Sequence, residues 1–182
     1  AKGLLASGGM GEVHEVYDSS LNRMLAMKVI HQRLKRNSAI VMRFIEEAQV
    51  SAQLQHPNIV PVHDIGVLPD GRNFFIMKKI EGEGFDNLIV SVHDAVQNNE
   101  WKHTQDGWSF RRLISVFIDV CEALSYAHSK GVIHRDLKPE NIMVGAFGEV
   151  LVVDWGIAKI MGQSSLHEPN IAGFAHAAYD MD

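Results

Sequence analysis

The sequence predicts an α+β chain in two lobes: a small antiparallel sheet carrying one helix, then a mainly helical portion. Three observations predict it. Short apolar runs with strand-like spacing fill residues 13–79 and are broken once by a helical pattern. A long stretch at residues 109–130 then repeats its apolar residues at helical spacing. Two further short apolar runs, residues 142–144 and 150–153, bracket a glycine-containing turn.

Each element has its own warrant. Residues 13–18 and 24–30 are strand-like and are joined by the polar stretch SSLNR. Ser38 is placed to cap a helix over residues 39–55, on which Val41, Phe44, Ile45, Ala48 and Ala52 recur at helical spacing. His56-Pro57-Asn58 ends it, because a proline disfavours the helical conformation in the residue before it. Residues 59–67 and 73–79 flank the turn PDGR and read as a hairpin. The first lobe therefore reads as a small antiparallel sheet with one helix. Residues 82–108 are less regular and read as a short helix followed by a polar surface loop. On the helix at 109–130, Phe110, Leu113, Ile114, Phe117, Cys121 and Leu124 form one stripe, while Val116, Val120, Ala123 and Ala127 form another. Apolar residues on several faces predict burial on several faces. Gly131 is the stop signal.

Composition bounds the function. The chain is 46% hydrophobic and 21% charged, an ordinary globular balance. A net charge of −5 with no basic patch argues against a nucleic-acid partner. No run of apolar residues is long enough to span a membrane. The start has no signal-peptide pattern and no initiator methionine, so upstream sequence is expected. Cys121 is the one cysteine; a disulfide framework is excluded, a reducing cytoplasm fits, and the residue reads as a small core side chain. No internal repeat is visible.

The chemistry is concentrated in four places. ASGGMGEV, residues 6–13, is either a hairpin turn or a loop whose glycines let backbone N–H groups approach a phosphate. Lys28 interrupts an apolar strand, where it either faces solvent or neutralises phosphate charge with a carboxylate to hold it. Glu46 and Glu47 on the following helix are the candidates for that carboxylate. VIHRDLKPENIMV, residues 132–144, is a charged loop between apolar strands, able to set a carboxylate, a lysine and an amide around one reacting centre. Asp154 closes the apolar run VLVV, and the GAFGE hairpin before that run would return it to Asn141. Two oxygen ligands then converge, a magnesium site in outline.

In this order, the glycine-rich loop, strand lysine, helix glutamate, HRDLKPEN octet and aspartate–aromatic–glycine triplet resemble the serine/threonine protein kinase family, in particular its bacterial members with a GGMGEV loop. The resemblance spans residues 3–159. It implies a two-lobe protein-kinase-like fold with a complete small antiparallel first lobe and an incomplete, mainly helical second one. By resemblance, Ser7, Gly8, Gly9 and Gly11 cover the ATP phosphates, Lys28 contacts the α- and β-phosphates, and Glu47 pairs with Lys28. Asp136 is the catalytic base, Lys138 lies near the γ-phosphate, and Asn141 and Asp154 hold Mg2+. Val13, Ala26 and Met143 sandwich the adenine, Met77 falls at the gatekeeper position, and residues 78–80, with Lys79 at their centre, form the hinge. The implied partners are ATP and a protein with a serine or threonine hydroxyl; the implied place is the cytoplasm.

Three departures accompany the resemblance. Ala6 stands where the first loop glycine usually sits, and Trp155 replaces the usual phenylalanine. The family's segment after the aspartate triplet has no counterpart past Lys159. The domain reading is therefore a first lobe over residues 1–80, a partial second lobe over 81–159, and a truncated or unmatched tail over 160–182. That reading makes an ATP-binding scaffold without transferase activity, or an inactive fragment, the alternative function, and it leaves apolar helix faces that favour self-association. Arg135 resembles an arginine that binds a phosphorylated loop, for which Ser164, Ser165 and Tyr179 are the tail candidates.

Overall fold

Alternation of side chains across a pleated strand explains the first sheet. Strands β1 (Leu4–Ser7), β2 (Gly11–Asp18) and β3 (Arg23–Ile30) run antiparallel, followed by helix α1 (Ser38–Gln53) and strands β4 (Val62–Val67) and β5 (Asn73–Lys78). Their order is β1-β2-β3-β5-β4, and a short strand late in the chain, Tyr179–Asp180, adds beside β2 to make six. This computed structural model describes residues 3–96 and 102–156, with the backbone of 159–160 and 179–180. Ser164 and Ser165 lie outside the described residues.

Along β3 the period of two separates two environments. Leu25, Met27 and Val29 pack with Val16 and Ile76 on one face. Ile30 lies in the other cluster, with Phe44 and Ala48 of α1 and Phe75 of β5. Lys28 shares the parity of Ile30, which turns it toward α1 rather than toward solvent. Gly11 permits the closest approach of β2 to β3. A Cβ there would stand 2.3 Å from the Val29 carbonyl oxygen.

Two boundaries differ from the sequence reading. The cap of α1 is Asn37, whose side chain accepts the Ile40 N–H at 3.2 Å, while Ser38 is already helical. The strand read from residue 59 begins at Val62. Pro61 has no N–H to give a ladder, and Ile59 pairs instead with Val152 in a parallel bridge. Asn58 accepts the Val152 N–H at 2.8 Å, so residues 58–60 stitch the first lobe to the second.

The second lobe contains β6 (Gly82–Gly84), α2 (Phe85–Asp94), α3 (Phe110–Ser129), β7 (Val132–Ile133), a 3-10 turn (Pro139–Asn141), β8 (Ile142–Gly145) and β9 (Val150–Val152). β6, β8 and β9 form one small sheet; β10 (Lys159–Ile160) pairs with β7, which makes Tyr179–Asp180 β11. Gly131 closes α3 as expected, in the left-handed conformation at φ 75. The two-face burial of α3 is not what the structure shows. Leu113, Val116, Val120, Ala123 and Ala127 are buried, while Phe110, Ile114, Phe117 and Ile118 are exposed. Cys121, read as a core residue, is exposed too, because it lies on that second side of the helix. Among the described residues no helix is long and apolar enough to cross a membrane.

Candidate active site

Lys28 is where the two lobes meet electrostatically. Its Nζ lies 2.5 Å from Glu47 Oε1 and 3.4 Å from Asp154 Oδ1. Of the two helix glutamates, Glu47 is the one turned inward, at 4% exposure, and its Oε2 has no hydrogen-bond partner. Burial works against the Lys28 ammonium, but the carboxylates of Glu47 and Asp154 outweigh it and hold the amine above the usual lysine range. Burial pushes the Glu47 carboxyl up; Lys28 opposes this and Asp154 adds to it. Both directions follow from one ammonium shared between two carboxylates.

Asp154 reaches Lys28 because of what surrounds it. The β8–β9 hairpin pairs Ile142 with Val152, and the Val153 N–H donates to the Asn141 carbonyl at 2.9 Å. The chain then turns sharply, with Asp154 at φ 60, a left-handed conformation rare outside glycine. Trp155 anchors the turn. It is 1% exposed, its ring lies 4.6 Å from that of His134, and its indole N–H finds an acceptor in the Val152 carbonyl at 3.4 Å.

The charged loop is held from within. His134 Nε2 lies 3.1 Å from the Val153 carbonyl oxygen, and His134 Nδ1 lies 3.3 Å from the Asp136 backbone nitrogen. A carbonyl only accepts and an amide N–H only donates, so this ring is neutral with its proton on Nε2. Burial accordingly pushes His134 below the usual histidine range, against the Val153 bond and the charges of Asp154 and Asp136. Asn141 Nδ2 donates to the Asp136 carbonyl at 2.8 Å and to Asp136 Oδ2 at 3.2 Å. Lys138 Nζ lies 3.3 Å from the same Oδ2. Arg135 is strained, in the left-handed region at φ 69.

A prediction follows from His134. The unfolded chain takes up this proton as pH falls through about 6.5, the folded chain only at lower pH. Stability is therefore full above that range and is lost on acidification through the lowered folded value. Thermal melts between neutral and mildly acidic pH should show a falling Tm, and His134→Gln should flatten that slope while lowering Tm at neutral pH. Equal slopes in both proteins would remove His134 as the cause.

These groups border one cleft of about 440 Å³. Ser7, Gly8, Gly9, Gly11, Val13, Lys28, Glu47, Met77, Asn141 and Asp154, all singled out from sequence, line it together. Asp136 and Lys138 stand just beyond its wall, through Asn141. Ala26, Lys79 and Met143 are not on the wall: Ala26 is buried opposite Met77, and Lys79 turns to Glu15 at 2.6 Å and Glu81 at 3.0 Å. Met10, Glu140 and Val153 line the cleft unanticipated. Nothing in the residue type of Met10 signals that role; only its place between glycines does.

The donor set suits a hard cation that completes its shell with water and phosphate oxygens. Asn141 gives its amide hydrogens to Asp136, which leaves the amide oxygen to ligate. Asp154 engages Lys28 through Oδ1 and keeps Oδ2. Among the described residues there is no cluster of three or more histidine, cysteine or acidic side chains that would hold a metal without such help.

The chain has close relatives among characterised sequences. The family model described as protein kinase domain matches residues 1–175, past the Lys159 at which the motif resemblance ends. The serine/threonine-protein kinase PknD of Protochlamydia amoebophila is 43% identical over 166 residues, 90% of this chain. PknD of Chlamydia trachomatis serovar L2b is 41% identical over 156 residues, 85% of this chain, and PknD of Chlamydia pneumoniae is 37% identical over 160 residues, 88% of this chain. The chain spans only 16% to 17% of the length of these relatives.

Proposed function

Because the chain belongs to the protein kinase family, whose model covers residues 1–175, we propose that it transfers the γ-phosphoryl group of ATP to a serine or threonine hydroxyl of a protein. The observation that carries this reading is the position of Lys28, held by Glu47 at 2.5 Å and Asp154 at 3.4 Å on the wall of a cleft that the glycine-rich loop also lines. A lysine braced in this way offers a fixed positive charge to phosphate oxygens.

The roles follow from chemistry. Backbone N–H groups of Ser7, Gly9 and Gly11 and the Lys28 ammonium receive the phosphates, while Gly8, whose N–H is held by the Gly11 carbonyl at 2.9 Å, shapes the turn between them. Val13 and Met77, both on the cleft wall, border the base, with Ala26 and Met143 behind that wall and Lys79 in the linker. Asn141 and Asp154 hold Mg2+, which when bound draws negative charge from the phosphate oxygens. Asp136 accepts the proton of the substrate hydroxyl while its oxygen bonds to phosphorus. The bond from phosphorus to the β–γ bridging oxygen breaks, and ADP leaves. Lys138, beside Asp136, stabilises charge on the moving phosphoryl group. Positioning and charge stabilisation supply most of the rate. We place this work in the cytoplasm, a compartment that supplies both ATP and Mg2+.

The direct test incubates the purified chain with γ-labelled ATP, Mg2+ and a generic protein substrate. Labelled phosphoserine or phosphothreonine is the expected product. ATP binding without any transfer would overturn the transferase reading in favour of a nucleotide-binding module.

A further inference from the structure

Met10 lines the cleft beside Lys28, Glu47 and Asp154, yet phosphoryl transfer has no use for a thioether there. It stands at the tip of the glycine-rich loop, and its reach can be gauged at Gly156. A Cβ at Gly156 would stand 3.1 Å from Met10 Cε, 3.0 Å from Glu47 Oε2 and 3.3 Å from Asp154 Oδ1. The Met10 methyl group therefore crosses from the loop to the turn that carries Asp154. It shares one small space with two carboxylates, and the Asp154 oxygen is the one that lies 3.4 Å from Lys28.

The backbone of the loop is held where it is, and the side chain is not. The Met10 carbonyl accepts the His31 N–H at 3.0 Å, and the Gly8 carbonyl lies 2.8 Å from His31 Nε2. On the other side, Gly11 packs against the Val29 carbonyl. A methionine side chain is unbranched and turns about three bonds. Beside it there is room, since a Cβ at Gly9 would meet nothing within 4 Å. Met10 can leave the cleft by rotating its side chain while the loop stays in place.

The closed arrangement also contains its own weakness. Glu47 is buried, and its Oε2 has no hydrogen-bond partner among the described residues. The groups ringed around that oxygen are a methyl, a glycine carbon and a second carboxylate, none of which donates an N–H or O–H. An unmet buried acceptor destabilises the state that contains it. The Met10 contact is therefore weak enough for a ligand to displace. The ligand group that displaces it is one drawn to Lys28 and Asp154, which is a phosphate with its cation and not an apolar base.

We propose that Met10 is a stopper for the phosphate end of the cleft. Its side chain stands in the space before Asp154 and must rotate out before a triphosphate enters, so it lowers the affinity for phosphorylated nucleotides and leaves the base end alone. The inference rests on the proposed function, which makes the ligand a nucleotide. A binding-competent state that is populated only in part weakens the apparent affinity by that fraction.

Calorimetric titration with adenosine and with ATP, the latter with and without Mg2+, tests the stopper. Met10→Ala should bind ATP about fivefold more tightly than wild type in both conditions, roughly the worth of one methyl group leaving its packing. Adenosine affinity should stay within about twofold, because adenosine does not need Met10 to move. Met10→Leu, which keeps the bulk, should match wild type with both ligands. A second readout needs no phosphate: with methyl-labelled methionine, the nucleotide-free protein should give a nuclear Overhauser contact between the Met10 methyl and the Gly156 Hα. Adenosine should preserve that contact and ATP should remove it. Unchanged or weaker ATP binding in Met10→Ala, equal tightening for adenosine, or no contact in the nucleotide-free protein would overturn the stopper alone. ATP binding by neither wild type nor Met10→Ala would overturn the nucleotide reading and the stopper with it.

Discussion

Asp136→Asn is expected to abolish phosphoryl transfer while leaving nucleotide binding nearly intact. The substitution preserves shape. Asn141 still finds the residue-136 backbone carbonyl that it now holds at 2.8 Å, and an amide oxygen can replace Oδ2 as its second acceptor, now at 3.2 Å. His134 keeps the residue-136 backbone N–H at 3.3 Å. The loop therefore stays in place, and Tm should change little. What disappears is the carboxylate proposed to accept the hydroxyl proton, and with it the partner of Lys138 at 3.3 Å. Positioned general bases contribute about 10²- to 10⁴-fold, so kcat should fall by about 10³-fold. The Kd for ATP should shift by no more than about twofold, because an amide here loses a transition-state role and not a ground-state contact. Initial rates with labelled ATP and calorimetric titration with ATP measure the two quantities. A kcat within tenfold of wild type would remove Asp136 from the chemistry.

How much of this was legible in the sequence depended on the range of the forces involved. LAMKVI is apolar at both parities, so it left Lys28 open between solvent and the inner face; packing of Ile30 against α1 and Phe75 decides it. The hairpin GAFGE is local, and it brought Val153 beside Asn141. The choice between Glu46 and Glu47 was not local. Both suit a helix, and only packing of Phe44 and Ala48 against β3 and β5 decides which one is buried. Capping by Asn37 in place of Ser38 is a one-residue difference between two good caps, settled by where the preceding turn ends. Cys121 was misplaced because its stripe on α3 is as apolar as the buried one, and periodicity cannot say which stripe meets a neighbour. The bond between His31 and Gly8 joins residues far apart in sequence through a backbone carbonyl, so no residue pattern announces it. Trp155 brings an N–H that phenylalanine lacks, and the Val152 carbonyl accepts it.

Lys28→Met is expected to damage stability and activity by separate routes that pH and a second substitution can divide. Methionine fills the space of the lysine stem but leaves Glu47 buried, with Oε1 newly unpartnered and Oε2 already so. Breaking a buried pair from one side costs about 3–5 kcal/mol when the remaining charge must stay. Glu47 has an escape, since its carboxyl is already raised by burial and by Asp154, and without Lys28 nothing opposes that rise. A group whose folded pKa is raised stabilises fully below its unfolded value and loses that contribution as pH rises through the folded value. The variant should therefore be least stable at neutral pH and recover toward mildly acidic pH, the reverse of the trend that His134 imposes on wild type. Adding Glu47→Gln removes the charge and should restore most of the neutral-pH stability. It should restore none of the activity. The phosphates would still lack the Lys28 ammonium, and kcat/KM should remain about 10²- to 10³-fold below wild type, the usual loss for one aimed donor at a charged transition state. Urea midpoints across pH and single-substrate kinetics on the three variants measure both arms. Recovery of activity in the double variant would mean that Lys28 acts only by balancing Glu47 and never touches phosphate.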